Sequence, residues 1–273
     1  MQRHFVVASL IETVICLFTS APAEASLVIC VYNSNAVYIA SDSLVAEAHG
    51  AMKYQSEKVF KLGETHMVGV TGQYGSDFID DRTRKPICTV NLLSDLETQC
   101  KLLCSTTNSL EAKIQTIMNV LATNSAIYAR LCSLAQNPND GIALFFTGYD
   151  ESNQRFFGSY SHMRGTSQPT LAAEFDSRTN STSIYFLGED RFLGTLLRNP
   201  ERLPSVGQSQ GVVETLEHLN HGLPVAEDRL VNSLMEMFAL HKTYASTYTT
   251  DKGWIGEPYV IYRITKKGIS KLR

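Results

Sequence analysis

The sequence predicts an α+β protein in which two antiparallel sheets lie between two helical layers, a four-layer αββα sandwich. Strand-forming runs fill residues 26–72 and recur at 142–160 and at 256–264. Apolar residues with helical spacing occupy 92–131 and 212–241. The order of elements fits such a sandwich: strands, a helical pair, strands, a second helical pair and a closing strand.

Composition indicates an ordinary globular protein. The chain has 273 residues, a net charge of −3 and 44% hydrophobic residues, which is enough for one large domain with its own core. It has no basic excess and no run of like charges, so we expect no nucleic-acid partner. We expect residues 26–273 to form this single domain.

Residues 1–25 are typical of a targeting segment. Arg3 gives a positive start, two apolar runs follow, and Ala23-Glu24-Ala25 is a small-x-small triplet of the kind that a signal peptidase cleaves after. The apolar part is too short for a comfortable membrane span. We therefore expect a cleaved signal peptide, a mature chain that begins at Ser26 and has no membrane span, and export to the periplasm or outside the cell. A mature amphipathic N-terminus and a self-removed propeptide are the alternatives.

The stretch from Ser26 to Gly72 predicts a β-meander with a turn at residues 33–35. Its first two strands are nearly continuous in apolar residues rather than alternating, which is typical of strands covered on both faces. A strand beginning near Lys58 and a strand at residues 66–70 complete the meander.

The rest of the chain predicts the remaining elements. Helical spacing runs from Leu92 to Cys104, and Ser109 is a candidate N-cap for a long second helix. Residues 163–182 indicate an insertion or a long hairpin. Further elements are predicted as strands at 142–147, 156–160, 183–188 and 256–264, and as helices at 212–219 and 227–241.

A serine at a new chain terminus has a specific chemical use. Its hydroxyl is a poor nucleophile until a base removes the proton, and the residue's own α-amine, with a pKa near 8 (roughly 7.7–8.0), can act as that base. A nearby lysine ammonium keeps the amine neutral, and a carboxylate orients the lysine. Asp42 and Lys58 are the candidates for these two roles.

These residues carry a resemblance to proteasome β-type subunits, within the N-terminal-nucleophile hydrolases. Ser26 occupies the place of the family's first threonine, Asp42 follows sixteen residues later in Ile-Ala-Ser-Asp-Ser, and Lys58 follows thirty-two residues later in Lys-Val-Phe-Lys-Leu. Gly72, forty-six residues after Ser26, ends Val-Gly-Val-Thr-Gly where the family has an oxyanion donor. Four positions in register without a gap make a fairly specific signal.

The resemblance implies a fold and a reaction. It implies the αββα sandwich, with a helix that begins after Gly72. In this sequence residues 80–86 interrupt that helix, because Pro86 breaks it. The resemblance also implies an amide hydrolase, acting as a peptidase on a peptide or amide substrate. Ser26 would be the nucleophile, Lys58 would tune it, Asp42 would orient Lys58, and the N–H of Gly72 would stabilise the oxyanion. Relatives assemble into rings, so a homo-oligomer is possible and an exported monomer is equally open.

The sequence departs from the family at several places. Leu44 stands where β subunits carry an arginine, and the residues that support the N-terminal amine have no clear counterpart. Two alternatives to a peptidase therefore stay open. One is a small-molecule amidase with the same site, and the other is a catalytically silent protein that uses the fold for assembly or binding.

No metal ion or organic cofactor is expected. The histidines are scattered. His218 and His221 are three residues apart and would share one helix face, but no cysteine or carboxylate completes a plausible zinc site with them. The chain has no phosphate-binding loop of the Gly-x4-Gly-Lys-Ser/Thr type and no dinucleotide fingerprint.

Overall fold

The computed structural model describes residues 27–46, 53–72, 75–79, 86–120, 141–163, 170–174, 182–188, 193, 210–248 and 255–273. This part of the chain is an α+β structure with two five-stranded antiparallel sheets, two short hairpins and four helices. The predicted signal segment, residues 1–25, and the candidate nucleophile Ser26 lie outside the described residues.

The first sheet has the strand order β12-β1-β2-β13-β14. Every residue of β1 and β2 is buried, which confirms the interpretation of their continuous apolar runs as strands covered on both faces. The strands of this sheet are β1 (Leu27–Asn33), β2 (Ala36–Asp42), β12 (Ser183–Gly188), β13 (Tyr259–Thr265) and β14 (Gly268–Lys271).

The second sheet has the order β11-β10-β9-β6-β5. The predicted strands near Lys58, at 66–70, at 142–147 and at 156–160 are all present here, and most are longer than the apolar pattern indicated. The strands are β5 (Val59–Lys61), β6 (His66–Gly72), β9 (Gly141–Tyr149), β10 (Arg155–Met163) and β11 (Thr170–Glu174).

Two hairpins lie outside the large sheets. One pairs β3 (Leu44–Ala46) with β4 (Lys53–Gln55), and the other pairs β7 (Gly75–Ile79) with β8 (Pro86–Asn91). The second hairpin overturns the expectation of a helix after Gly72. Pro86 cannot sit within a helix, and the run Ile-Cys-Thr-Val that follows it favours a strand.

Four helices accompany the sheets: α1 (Leu92–Cys104), α2 (residues 110–120), α3 (Gln210–Asn220) and α4 (Glu227–Tyr248). The bounds of α1 match the predicted helix. Ser109 is the N-cap of α2, as predicted, because its Oγ accepts the Ala112 N–H at 3.3 Å. Both later helices extend past their predicted bounds.

Three buried apolar clusters hold these elements together. One contains residues of β5, β6, β9, α1 and α2, and another contains residues of β1, β2, β13, α3 and α4. The third lies between the sheets and joins residues such as Val28 and Ile39 of the first sheet to Met67 and Phe145 of the second. Each sheet therefore packs on helices through one cluster and on the other sheet through the third.

The two sheets lie close together at Gly69 of β6. A Cβ at this position would lie 2.9 Å from Cγ1 of Val28 and 3.2 Å from Cδ1 of Ile39. Both side chains belong to the opposite sheet, so the absence of a side chain at residue 69 sets how closely the sheets pack.

Candidate functional site

A lysine and an aspartate form a completely buried ion pair at one end of the sheets. Nζ of Lys58 lies 2.8 Å from Oδ2 of Asp42, and neither side chain is exposed to solvent. The structure thus brings together two of the residues that the sequence predicted for the site. Since burying two charges costs several kcal/mol in desolvation, a pair with this much burial needs compensating contacts.

Asp42 occupies the last position of β2, where three donors converge on its carboxylate. Lys58 binds Oδ2, the backbone N–H of Leu27 donates to Oδ1 at 3.0 Å, and the backbone N–H of Gly256 also donates to the carboxylate. β1 and β2 pair in an antiparallel register that sets Val28 opposite Ser41, which brings Leu27 beside Asp42. The hairpin of the first two strands therefore positions this contact.

The electrostatics at Asp42 follow from burial and from these donors. Burial raises the pKa of the Asp42 carboxyl, because the charged form loses its hydration, and the Lys58 ammonium and the N–H groups of Leu27 and Gly256 oppose that shift. The three donors thus offset part of the cost of burying the charge, and the pKa of Asp42 remains above its usual value.

Lys58 reaches the carboxylate from the other sheet. It directly precedes β5, and its carbonyl accepts a hydrogen bond from the N–H of Val70 on β6 at 2.8 Å. Its backbone is thus anchored to the second sheet, while its ammonium is anchored to Asp42 of the first. Lys58 is a link between the sheets as well as a charged group.

Gly72 is the last residue of β6, two positions beyond Val70. Backbone N–H groups two residues apart on a strand point to the same edge, and the N–H of Val70 points toward Lys58. We therefore expect the N–H of Gly72 to point to the edge of β6 on which Lys58 lies, about 7 Å farther along the strand. This orientation is compatible with the predicted oxyanion donor.

The segment between Asp42 and Lys58 includes the β3–β4 hairpin, which the sequence did not predict. The N–H of Ser56 donates to the carbonyl of Ser43 at 2.9 Å, and the N–H of Ser43 donates to the carbonyl of Gly256. The base of the hairpin is therefore fixed beside the ion pair, which shows how residues sixteen positions apart in the chain meet at one point.

Two serine hydroxyls flank Asp42 in the chain. Ser41 is fully buried and Ser43 is 2% exposed, and neither Oγ has a hydrogen-bond partner among the described residues. Most buried hydroxyls in proteins are hydrogen-bonded, and these two differ in that each can still bind a polar group.

Gly256 is a distant contributor that the sequence interpretation missed. It both donates to Asp42 and accepts from Ser43, although it lies far away in the chain, just before β13. Backbone donors leave no residue-type signal, and the sequence interpretation placed Gly256 in a strand at 256–264, whereas β13 begins at Tyr259.

Comparison with known protein families and with curated proteins finds no match to this chain. Among the described residues, no helix combines the length and apolar character that a membrane crossing requires.

Proposed function

We propose that this protein is an amide hydrolase of the N-terminal-nucleophile class, resembling proteasome β-type subunits, with Ser26 as its nucleophile. The observation that carries the proposal is the fully buried pair of Lys58 and Asp42, whose carboxylate also holds the N–H of Leu27. Leu27 is bonded to Ser26, so the chain leading to the proposed nucleophile is anchored at the pair.

Energetics favour a chemical role for the pair over a purely structural one. Replacing a buried ion pair with apolar residues of similar size is often neutral or stabilising, so such a pair is weak support for a stability role. A lysine fixed by a carboxylate next to a free α-amine, in contrast, is the arrangement that keeps the amine neutral near pH 7. The geometry is therefore explained more fully by catalysis than by folding.

The proposed reaction uses this chain's own groups. Ser26 Oγ attacks the amide carbonyl while the α-amine of Ser26 takes the hydroxyl proton, directly or through a water. Lys58 stabilises the neutral amine, Asp42 orients Lys58, and the N–H of Gly72 donates to the oxyanion. The α-amine of Ser26 passes this proton to the nitrogen of the substrate, whose amine then leaves. Water hydrolyses the acyl-enzyme and restores Ser26.

The finer architecture belongs to the same proposal. We infer a four-layer αββα sandwich, in which α1 and α2 cover one sheet and α3 and α4 cover the other. The three apolar clusters support it, since one joins each helical pair to its sheet and one joins the sheets to each other. This is the layer order expected of N-terminal-nucleophile hydrolases.

The mechanism requires a mature chain that begins at Ser26. We propose that residues 1–25 are removed during export, which frees the α-amine. Any residue left before Ser26 would turn this amine into an amide and remove the base. A peptide is the proposed substrate, and a small amide would use the same groups.

Intact mass and N-terminal sequencing of the exported protein test the first requirement, and a serine-reactive peptidyl sulfonyl fluoride tests the second. We expect a chain that starts at Ser26 and is modified once, at that residue. Ser26→Ala should lose the modification and the hydrolysis of peptide amides. Ser34→Ala, in the exposed turn between β1 and β2, is the matched control and should react like the wild type.

The alternatives predict different results. A small-molecule amidase would be modified at Ser26 but would cleave short amides and leave peptides intact. A silent assembly or binding protein would keep residues before Ser26 or leave Ser26 unmodified. Hydrolysis by Ser26→Ala at the wild-type rate would exclude the proposed mechanism. The molecular mass in solution would separate a ring from a monomer in each case.

A further inference from the structure

The residue before Lys58 is attached to the opposite sheet. The Glu57 carboxylate accepts a hydrogen bond from the Tyr262 hydroxyl at 3.1 Å and forms an ion pair with the Lys271 ammonium. Tyr262 lies on β13 and Lys271 on β14, and these residues pair directly across the two strands. Nζ of Lys271 also lies 5.6 Å from the centre of the Tyr262 ring. Glu57, Tyr262 and Lys271 therefore form one cluster, here named the Glu57 tether.

The Glu57 tether acts on the same short segment as the buried ion pair. The Lys58 carbonyl binds β6 of the second sheet, whereas the Lys58 ammonium and the Glu57 carboxylate both bind the first sheet. Residues 57 and 58 are thus held at three points. Asp42 fixes the end of the lysine side chain, and the tether limits movement of the backbone from which that side chain extends.

We propose that Glu57 is a positioning residue that sets where Lys58 presents its ammonium. The inference rests on the proposed function, since it deepens the role of Lys58 in activating Ser26. Lysine has a flexible four-carbon side chain, so contact with Asp42 does not by itself fix the backbone. The Val70 N–H holds this backbone to the second sheet, and the Glu57 tether holds it to the first. A small displacement of a group that acts on a nucleophile lowers the rate even where binding is unchanged.

Burial distinguishes the parts of the tether. The side chains of Lys271 and Glu57 are 46% and 43% exposed, so their ion pair contributes little to stability. Tyr262 is only 7% exposed, and its hydroxyl gives the carboxylate a fixed partner. The tether should therefore affect geometry at Lys58 more than it affects the stability of the fold.

Glu57→Gln tests the tether, because it removes the charge and keeps a similar shape. We expect the rate of Ser26 modification by the sulfonyl fluoride to fall about two- to fivefold, with probe affinity unchanged. A change in rate of this size corresponds to the interaction energy of a half-exposed ion pair. Lys271→Met should give a similar loss. The charge-reversed double variant Glu57→Lys with Lys271→Glu should regain most of the rate.

A matched control separates positioning from a general loss of surface charge. Glu214 pairs with Arg229 at the surface of α3 and α4 with exposures of 43% and 36%, close to those of the tether. Glu214→Gln should modify Ser26 at the wild-type rate. Equal rates for Glu57→Gln, Glu214→Gln and the wild type would overturn the proposal, as would a charge-reversed variant no faster than either single variant.

A second measurement does not depend on catalysis. In protein labelled with ¹³C at lysine Cε, the Lys58 resonance can be assigned from its loss in Lys58→Arg. We expect this resonance to shift in Glu57→Gln and to stay in place in Glu214→Gln. If the probe leaves the wild type unmodified, the proposed function is contradicted. The Lys58 resonance tests the tether independently, because a resonance that does not move in Glu57→Gln contradicts the positioning role of Glu57.

Discussion

The N–H of Leu27 and the side chain of Lys58 meet at one carboxylate, with Leu27 N on Oδ1 of Asp42 and Lys58 Nζ on Oδ2. A single side chain thus fixes both the start of β1 and the ammonium that reaches across from the second sheet. Asp42 is therefore the residue whose replacement should disturb the most contacts at the proposed site.

Asp42→Asn should lower the free energy of unfolding by about 3 to 5 kcal/mol, because it leaves the Lys58 ammonium buried without its counter-charge. Urea denaturation measures the loss. Adding Lys58→Met to this variant removes the stranded charge, so the double variant should be more stable than Asp42→Asn alone. Glu97→Gln, which removes one partner of the exposed pair with Lys101, is the control and should cost less than about 1 kcal/mol.

Gly69→Val should destabilise the protein by about 1 to 3 kcal/mol, because its side chain would enter the space that Val28 and Ile39 occupy. Thermal unfolding measures the change. Adding Val28→Ala to this variant removes the closest neighbour and should restore part of the loss. A Gly69→Val protein as stable as the wild type would mean that the sheets can separate here without cost.

Tyr32→Phe tests a buried polar contact between the sheets. The Tyr32 hydroxyl lies 2.7 Å from Oγ1 of Thr147 and donates to the carbonyl of Phe156 at 2.6 Å. Removing it takes the donor from the buried Phe156 carbonyl and a hydrogen-bond partner from the Thr147 hydroxyl, so we expect a loss of about 1 to 3 kcal/mol in the free energy of unfolding. The double variant with Thr147→Val should lose less than the sum of the two single variants, and a strictly additive result would argue against coupling.

His241 predicts a specific dependence of stability on pH. It is 1% exposed on α4, and burial lowers the pKa of its imidazole to about 4. The unfolded chain binds this proton near pH 6.5, so the contribution of the neutral ring is fully present above that pH and is lost as the pH falls toward 4. We expect His241 to lower the free energy of unfolding by about 3 kcal/mol as the pH falls from 6.5 to 4.

Urea titrations of the wild type and of His241→Gln at a series of pH values measure this contribution. We expect the variant to be less stable at pH 7 because its packing changes. The informative quantity is therefore the slope of the free energy of unfolding against pH. The slope of the variant should be shallower between pH 6.5 and pH 4. Equal slopes would mean that other groups account for the acid sensitivity of the protein.

The sequence was a good guide to elements with strong local patterns. Continuous apolar runs predicted β1 and β2, and helical spacing predicted the bounds of α1. It failed after Gly72, where an expectation drawn from the family outweighed the strand-forming run after Pro86. The β3–β4 hairpin and β14 were missed because they are short and lack a clear alternating pattern.

The site was predictable to a similar degree. The resemblance to proteasome β-type subunits implied that Lys58 and Asp42 meet, and their side chains lie 2.8 Å apart in the structure. The donors from Leu27 and Gly256 were not predictable, because they are backbone groups and one lies more than 200 residues away in the chain. The Glu57 tether also depends on strand register near the end of the fold, which no local pattern in residues 53–61 reveals.

The position of β13 has a consequence for the nascent protein. β2 lies between β1 and β13, and Tyr259 of β13 is opposite Asp42. During synthesis the first hairpin emerges long before this neighbour, so one edge of β2 stays unpaired while most of the chain is made. Such long-range pairing folds slowly and exposes an edge to aggregation. We therefore expect Asp42 to reach its final surroundings late, after the ribosome has passed residue 265.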